Sequence, residues 1–342
     1  MVGSGNGDLG WRRVAGNPRA IGQELGMAGR EAVTRHLLSH PLWREVTDAA
    51  HRSAVRRMAA NVASRFPDIL AEIEGLAEGL GLPFEPVFAW NCRGDLLATA
   101  PEGCTTILLP GEAPVIAHNE DGLPFFRGHC FMAEVAPDWG PGFVSFCYPG
   151  SIPGHTFGWS AAGLVQAVNN LRLTGVAPDI PRMVLGRAVL ASQGLEEALG
   201  ILNSGANSGG FHFALAQAGA GPIRSVEFGG GAVSVREVTA PTAHANHALH
   251  HPAAESGAQV ITRSSSDRQL RAEALLVAGT GPVDILHDGG GAGHLPIYRD
   301  APDDPDEENT LALGRMRLRG GEIEWQVYDR RHSHPRYEGR QD

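Results

Sequence analysis

The sequence predicts an α+β fold in which antiparallel β-sheets are covered by helices on their outer faces. Apolar residues recur at helical spacing from about Pro18 to Leu80, and short β-rich runs separated by Gly and Pro begin after Cys104. A second helical block and further hairpins follow these runs. Helices that bracket repeated hairpins are typical of sheets packed against helices.

The first helical block contains "NPRAIGQELGMAGREAVTRHLL" and "FPDILAEIEGLAEGLGL". Asn17 followed by Pro18 is a favourable helix start, and Gly81 is a plausible helix end. The predicted strands after this block are "TTILL", "PVIAHN", "CFMAEV", "GFVSFCY" and "HTFGWSAAGLVQAVNNL".

The second helical block is "PRMVLGRAVLASQGLEEALGILNSG". We expect strands in "FHFALAQ", a hairpin in "PIRSVEFGGGAVSVREV" and a helix over Ser266–Ala278. The chain then predicts a strand pair in "TLALGRMRLRGGEIEWQVYD", which turns at Gly320 and Gly321. The acidic run "RDAPDDPDEEN" is interpreted as a solvated loop.

Composition limits the classes of function. The 342 residues include 28 basic residues, all arginine, against 38 acidic ones, for a net charge of −10. Non-specific nucleic-acid binding needs a basic surface, so no nucleic-acid partner is expected. No stretch approaches the roughly 20 apolar residues of a membrane span, and the start lacks a secretory core. We therefore expect a cytoplasmic protein without a membrane partner.

Neither the cysteines nor the histidines predict a metal site or a cofactor. The four cysteines lack CxxC spacing and do not suggest a disulfide scaffold. Histidines crowd one segment and flank a glycine run, but no HExxH is present and the crowded segment falls on a predicted strand and its exit. These histidines are His244, His247, His250, His251, His287 and His294.

Cys104 raises a question of chemistry, because it opens a predicted strand directly after Gly103. Spacing alone leaves a buried structural cysteine as one interpretation. A thiol nucleophile needs help to ionise, and no local motif supplies a histidine in a known pattern. If the Gly103–Cys104 bond were cut, the new α-amine, with an ordinary pKa of about 7.7–8.0, could act as the base for its own thiol.

Four ordered segments resemble the acyl-coenzyme A:isopenicillin N acyltransferase family of N-terminal nucleophile hydrolases. They are the helical "FPDILAEIEGLAEGLGLPFEPVFAWNCRGDL", "GCTT" followed by "AHNEDG", the strand "AHANHAL" and the helix "TRSSSDRQLR". The resemblance covers roughly Pro18 to Tyr328. It implies a four-layer αββα sandwich made as an inactive precursor. It also implies self-cleavage at Gly103–Cys104 into subunits of residues 1–103 and 104–342, which remain together as one domain.

The resemblance also implies roles for individual residues. Cys104 matches the nucleophile of both self-cleavage and substrate attack. Asp121 matches the acidic residue that orients the new amine, although an ordinary turn aspartate stays open. Asn246 matches the oxyanion-hole asparagine, with a strand-end asparagine as the alternative. Gly122 stands where the family often has an aromatic residue.

Three further residues are weaker candidates for supporting or substrate-binding roles. Asn119 could fix the hairpin or contact substrate, and Thr310 matches a hydroxyl position in the C-terminal strand of the family. Asn170, with Asn169, closes a strand that resembles the family's "GL…NNL" segment, although paired asparagines are also common in turns. Leu311 stands where penicillin-forming members carry arginine, which argues against a β-lactam substrate.

The sequence thus predicts a self-cleaving cysteine amidohydrolase or acyltransferase with a Cys104 acyl-enzyme. Its partners would be a small-molecule amide or thioester and its own cleaved subunit. No cofactor is expected, with a coenzyme A thioester considered as an acyl donor. The alternative is a non-cleaving family member that acts as a binding or scaffold protein.

Overall fold

A computed structural model describes residues 9–98, 103–290 and 295–341. Two segments mentioned above lie outside the described residues. One contains His294, and the other is residues 99–102, which precede the expected cleavage site. The helices are α1 (Pro18–Ala32), α2 (Pro41–Val46), α3 (Arg52–Arg65), α4 (Pro67–Leu80), α5 (Phe84–Trp90), α6 (Arg93–Leu96), α7 (Arg182–Leu190), α8 (Leu195–Ser204), α9 (Pro252–Ser256), α10 (Arg263–Val277) and α11 (Pro282–Leu286).

The strands form two sheets. They are β1 (Gly10–Gly16), β2 (Gly103–Leu109), β3 (Val115–Gly122), β4 (Phe131–Pro137), β5 (Phe143–Cys147), β6 (Gly158–Ser160), β7 (Leu164–Leu171), β8 (Gly210–Gln217), β9 (Ala220–Gly229), β10 (Ala232–Glu237), β11 (Thr242–His244), β12 (Asn309–Arg319), β13 (Glu322–Tyr328) and β14 (Tyr337–Gln341). Eight strands have the order β1-β4-β5-β6-β7-β8-β9-β10, and six have the order β11-β2-β3-β12-β13-β14.

The two sheets face each other, and helices lie on both outer faces. β2 and β3 of the six-stranded sheet contact β7 of the eight-stranded sheet. Helices α10 and α11 pack on the outside of β2, β3 and β11, while α1, α7 and α8 contact strands of the other sheet. This is the four-layer αββα arrangement that the sequence resemblance implied.

Two strands, β1 and β14, depart from the prediction, since β14 adds to the predicted final pair β12–β13. β1 was not anticipated, and it pairs with β4 in parallel, with Gly10 opposite Phe131 and Gly16 opposite Pro137. The other pairings between the named strands are antiparallel. A short strand with exposed arginines lacks the apolar alternation that sequence reading relies on. The segment before Cys104 therefore contributes a sheet strand as well as helices.

Local signals for helix ends are confirmed. The Asn17 side chain caps α1 by accepting from the Ala20 N–H at 2.9 Å. Gly81 ends α4 with φ of 73°, a left-handed conformation that glycine adopts without strain. The predicted helix over Ser266–Ala278 exists as α10, which begins three residues earlier because Thr262 caps it.

Candidate functional site

Cys104 is the second residue of β2, and its side chain is 3% exposed. The register of the β2–β3 hairpin places Cys104 opposite Glu120 and Gly103 opposite Asp121. Because side chains alternate along a strand, these two pairs belong to opposite faces of the hairpin. The face of Cys104, here called the inner face, points between the two sheets, and the face of Gly103, the outer face, points toward α10.

On the inner face, the Cys104 thiol lies against a carboxyl group. Its Sγ is 3.8 Å from Glu120 Oε2. Tyr148 donates its hydroxyl to Glu120 Oε1 at 2.8 Å, and His118 Nε2 is 3.0 Å from Glu120 Oε2. All four side chains are buried. The thiol, the carboxyl and the imidazole therefore form one compact cluster. Its sulfur, one carboxyl oxygen and one imidazole nitrogen lie within 4.8 Å of one another.

The inner-face cluster continues into the facing sheet. His118 Nδ1 is 2.8 Å from Thr106 Oγ1, which donates to Asn169 Oδ1 at 2.6 Å. Asn169 Nδ2 donates in turn to the carbonyl of His244 at 3.1 Å, so its oxygen is the group that faces Thr106. The position of the imidazole is thus fixed by hydrogen bonds from both sheets.

On the outer face, Asp121 has one satisfied and one open oxygen. Thr310 donates its hydroxyl to Asp121 Oδ1 at 2.6 Å, while Oδ2 has no hydrogen-bond partner among the described residues. A Cβ added to Gly103 would lie 2.5 Å from Glu308 Oε2 and 3.1 Å from Asp121 Cβ. Glycine is therefore the residue that fits between these two buried carboxyl groups.

Buried arginines balance these carboxyl groups. Arg299 Nη1 donates to Glu308 Oε2 at 2.6 Å, and Arg172 Nη2 is 3.5 Å from Glu308 Oε1. Arg268, from α10, is fully buried and donates to the carbonyl oxygen of Cys104 and, at 2.8 Å, to Thr105 Oγ1. The outer face thus has closely packed charges of both signs.

Asn246 holds the backbone nitrogen of Cys104. It lies just after β11, and its Oδ1 accepts from the Cys104 N–H at 2.9 Å and from Arg268 Nη2 at 2.6 Å. Its Nδ2 donates to the carbonyl of Asn170 at 3.2 Å. In the continuous chain, Asn246 therefore binds the nitrogen of the expected scissile bond, and its role in an oxyanion hole stays a prediction.

The electrostatics of the site keep the thiol protonated in the continuous chain. Burial and the neighbouring Glu120 and Asp121 raise the pKa of the Cys104 thiol well above its ordinary value, and Arg268 opposes them. Burial also raises the pKa of Asp121, against the effect of Arg268 and Arg299. Burial lowers the pKa of His118 to about 3.

The structure brings the predicted site residues into one region. Asn170 contributes its backbone carbonyl to Asn246 and its side-chain oxygen to Arg182. Asn119 donates to the carbonyl of Leu286 at 2.7 Å, which fixes α11 on the sheet.

Sequence reasoning gave no role to several other residues of this site. Among them are His118, Glu120, Tyr148 and Arg268, the last of which lies in the quoted helix "TRSSSDRQLR". His118 and Glu120 could have been found from the alternation of β3, since every second residue shares a face. Nothing near Cys104 in the sequence points to Arg268, which lies 164 residues away.

The crowded histidines take part in other contacts. His244 Nε2 is 2.7 Å from Glu227 Oε1, and its ring stacks on that of His212 with centroids 3.6 Å apart. Glu227 also accepts the backbone N–H groups of Leu249 and His250. These contacts order the loop that follows β11 and leads away from Asn246.

Comparison with known proteins identifies the family. Residues 108–331 match the family described as acyl-coenzyme A:6-aminopenicillanic acid acyl-transferase. The chain belongs to this family. The predicted resemblance is thereby confirmed, and with it membership in a family of acyl-transferring enzymes. The match begins at Leu108, beyond Cys104, so it does not include the expected nucleophile.

Individual relatives are more distant. A beta-alanyl-dopamine/carcinine hydrolase from Drosophila melanogaster is 27% identical over 173 residues, which are 44% of this chain and 44% of the relative. The match thus spans less than half the length of that protein.

The chain is also similar to solved structures. Penicillin V acylase from Agrobacterium tumefaciens has a TM-score of 0.41 and 16% identity, with 65% of this chain and 82% of that one covered. A variant of conjugated bile acid hydrolase from Clostridium perfringens has a TM-score of 0.46 and 11% identity, with 70% of this chain and 92% of that one covered.

Within the described residues, no helix is long and apolar enough to cross a membrane.

Proposed function

We propose that this chain is a self-cleaving cysteine amidohydrolase. Scission of the Gly103–Cys104 bond would give Cys104 a free α-amine, and its thiol would then form an acyl-enzyme with a small amide or thioester. The observation that carries the proposal is the set of groups around the backbone of Cys104. Asn246 and Arg268 hold its nitrogen and its carbonyl, and Asp121, opposite Gly103 in the hairpin, has an unpartnered carboxylate oxygen.

Each of these groups has a use once the bond is cut. The new amine can take the proton of the thiol, since its ordinary pKa is near neutral. Asp121 Oδ2 is available to bind the amine in its charged form, because it has no other partner among the described residues. Asn246 would reorient its side-chain N–H toward the developing oxyanion of the substrate, where such a donor is worth about 2.7–4 kcal/mol.

The two fragments would remain associated without the peptide bond. β1 pairs with β4 over seven residues of each strand, and α1 contacts both of these strands. The first fragment thus contributes a strand to the eight-stranded sheet.

Hydrolysis follows if water accepts the acyl group, and acyl transfer follows if an amine does. This chemistry needs no cofactor. A coenzyme A thioester would act as an acyl donor, that is, as a substrate.

The test is the mass of the purified chain under denaturing conditions. We expect fragments of residues 1–103 and 104–342, and a single intact chain for Cys104→Ala. Because the relative is a beta-alanyl-dopamine/carcinine hydrolase, both of these compounds are the first substrates to test, with released dopamine or histamine as the readout. Full activity from a single unbroken polypeptide would overturn the proposal, and it would leave Cys104 as a packed thiol.

A further inference from the structure

Self-cleavage cannot use the α-amine of Cys104 as a base, whereas turnover of the cleaved enzyme can. Before the Gly103–Cys104 bond is cut, the nitrogen of Cys104 is an amide, and it donates its proton to Asn246. An amide nitrogen is not a base, so it cannot take the proton of the thiol. The thiol itself is protonated, because burial raises its pKa. The first cleavage therefore needs a base other than the α-amine.

Glu120 is positioned to serve as this base. Its Oε2 is the carboxyl oxygen at hydrogen-bond distance from Cys104 Sγ, at 3.8 Å. The carboxyl group is 2% exposed and is held by Tyr148 through its other oxygen. Asp121 lies on the outer face of the hairpin, opposite Gly103 rather than Cys104.

The hydrogen bonds of Asn169 and Thr106 determine which nitrogen of His118 carries a proton. Asn169 presents its oxygen to Thr106, because its nitrogen donates to the carbonyl of His244. The single hydroxyl proton of Thr106 is therefore donated to Asn169, and His118 Nδ1 must donate to Thr106.

This assignment leaves His118 Nε2 facing Glu120 Oε2 at 3.0 Å. Two lone pairs would repel each other at this distance, so one proton lies between them. The pair is neutral as a whole, which is the form that burial favours.

We propose that Glu120, backed by His118, is the general base for self-cleavage of the Gly103–Cys104 bond. This inference rests on the proposed function, since it assigns a base to the maturation step that the function requires. It concerns the one step at which the α-amine does not yet exist.

The step balances as follows. The thiol proton passes to Glu120 Oε2 as the proton between Glu120 and His118 moves onto His118 Nε2. Because burial lowers the pKa of His118 to about 3, this imidazolium exists only while the sulfur attacks the carbonyl carbon of Gly103. The carbon–nitrogen bond then breaks, and the nitrogen of Cys104 receives a proton back from the Glu120–His118 pair. The product is a thioester between Gly103 and the Cys104 sulfur, with a free amine. Water hydrolyses the thioester to the Gly103 carboxylate and the Cys104 thiol.

The test follows cleavage during synthesis of the full chain in a cell-free system. Removal of a general base costs about 10²–10⁴ in rate, so Glu120→Gln is expected to cleave at least about 100-fold more slowly than the wild type. Glu134→Gln is the matched control, because the Glu134 side chain is partly exposed in β4 and accepts from Trp11 and Arg13. This control is expected to cleave at the wild-type rate.

Hydroxylamine separates the two halves of the reaction, since it cleaves thioesters but not amides. If Glu120→Gln blocks the acyl shift, added hydroxylamine will not release fragments from the uncut variant. Release of fragments would mean that the thioester forms without Glu120, and the inference would be wrong.

Tyr148→Phe is the second variant, and it keeps the assignment testable if Glu120→Gln does not fold. It removes one hydrogen bond to the carboxyl group and is expected to slow cleavage by about 10-fold. Circular dichroism and the melting temperature show which variants are folded.

The outcomes also separate the two proposals. A wild-type chain that is never cut contradicts the proposed function. A wild-type chain that is cut, with folded Glu120 and Tyr148 variants cut at the same rate, contradicts only the role of Glu120.

Discussion

The two faces of the β2–β3 hairpin carry different chemistry, although one backbone separates them. The inner face presents Cys104, His118 and Glu120, which exchange hydrogen bonds with Tyr148 and Thr106. The outer face presents Gly103, Thr105 and Asp121 among buried charged groups, and Asn119, which donates to the carbonyl of Leu286. Because side chains alternate along a strand, the groups that contact the thiol lie on one face, and the buried ions lie on the other.

The charges of the outer face make sense in terms of the proposed cleavage. Scission creates a carboxylate on Gly103 and an ammonium on Cys104, and a buried charge is costly unless it is paired. The outer face already contains Arg268 and Arg299 as cations and Asp121 and Glu308 as acids. We expect the new termini to be stabilised by this set.

Arg268→Leu is expected to have the largest effect of the outer-face variants. Arg268 contacts the carbonyl of Cys104 and the side chains of Thr105 and Asn246. Loss of one member of a buried ionic group costs about 3–5 kcal/mol in the free energy of unfolding. Urea denaturation measures this change.

The matched control for this variant is Arg13→Leu. Arg13 is exposed and pairs with Glu134 on the protein surface. Its loss is expected to cost less than about 1 kcal/mol. An equal loss for both variants would show that the outer-face ions are not coupled to the fold.

The sequence was sufficient to predict candidate residues that the fold brings together. Cys104, Asp121 and Asn246 lie at one end of the β2–β3 hairpin, and their catalytic roles stay predictions. The helix and strand signals were also local, such as the Asn17 cap and the Gly320–Gly321 turn, where both residues have positive φ.

The contacts made by long-range packing could not be predicted in the same way. Tyr148 reaches Glu120 from the end of β5, and Arg268 reaches Cys104 from a helix 164 residues away. Neither partner has a fixed spacing from the nucleophile, because the topology of the sheets decides which strands meet. The division between the inner and outer faces also needed the register of the hairpin.

Asp121→Asn sharpens the comparison between the faces. Asp121 lies on the outer face, so this variant is expected to cleave itself, unlike Glu120→Gln. Turnover of the mature enzyme is expected to fall by about 10- to 100-fold, because a charge-assisted hydrogen bond is worth about 1.5–3 kcal/mol. The measurement is kcat on any amide that the wild type hydrolyses, normalised to the amount of cleaved protein.

The contrary result for Asp121→Asn is equally informative. If this variant accumulates as an uncut chain while Glu120→Gln matures, then the base for cleavage lies on the outer face. The assignment of roles to the two faces would then be reversed.

Thr310→Val is expected to have the smallest effect. Thr310 donates to Asp121 Oδ1 and accepts from the backbone N–H of Arg299, so valine removes one bond to the carboxylate but leaves its charge. Because the carboxylate keeps its charge and its open oxygen, only its orientation changes, and kcat should fall by less than about 10-fold, which is about 1.4 kcal/mol of barrier. Thr310→Ser keeps the hydroxyl and should retain wild-type turnover. A larger loss for valine than for Asp121→Asn would mean that Thr310 acts on the substrate directly, rather than through the carboxylate.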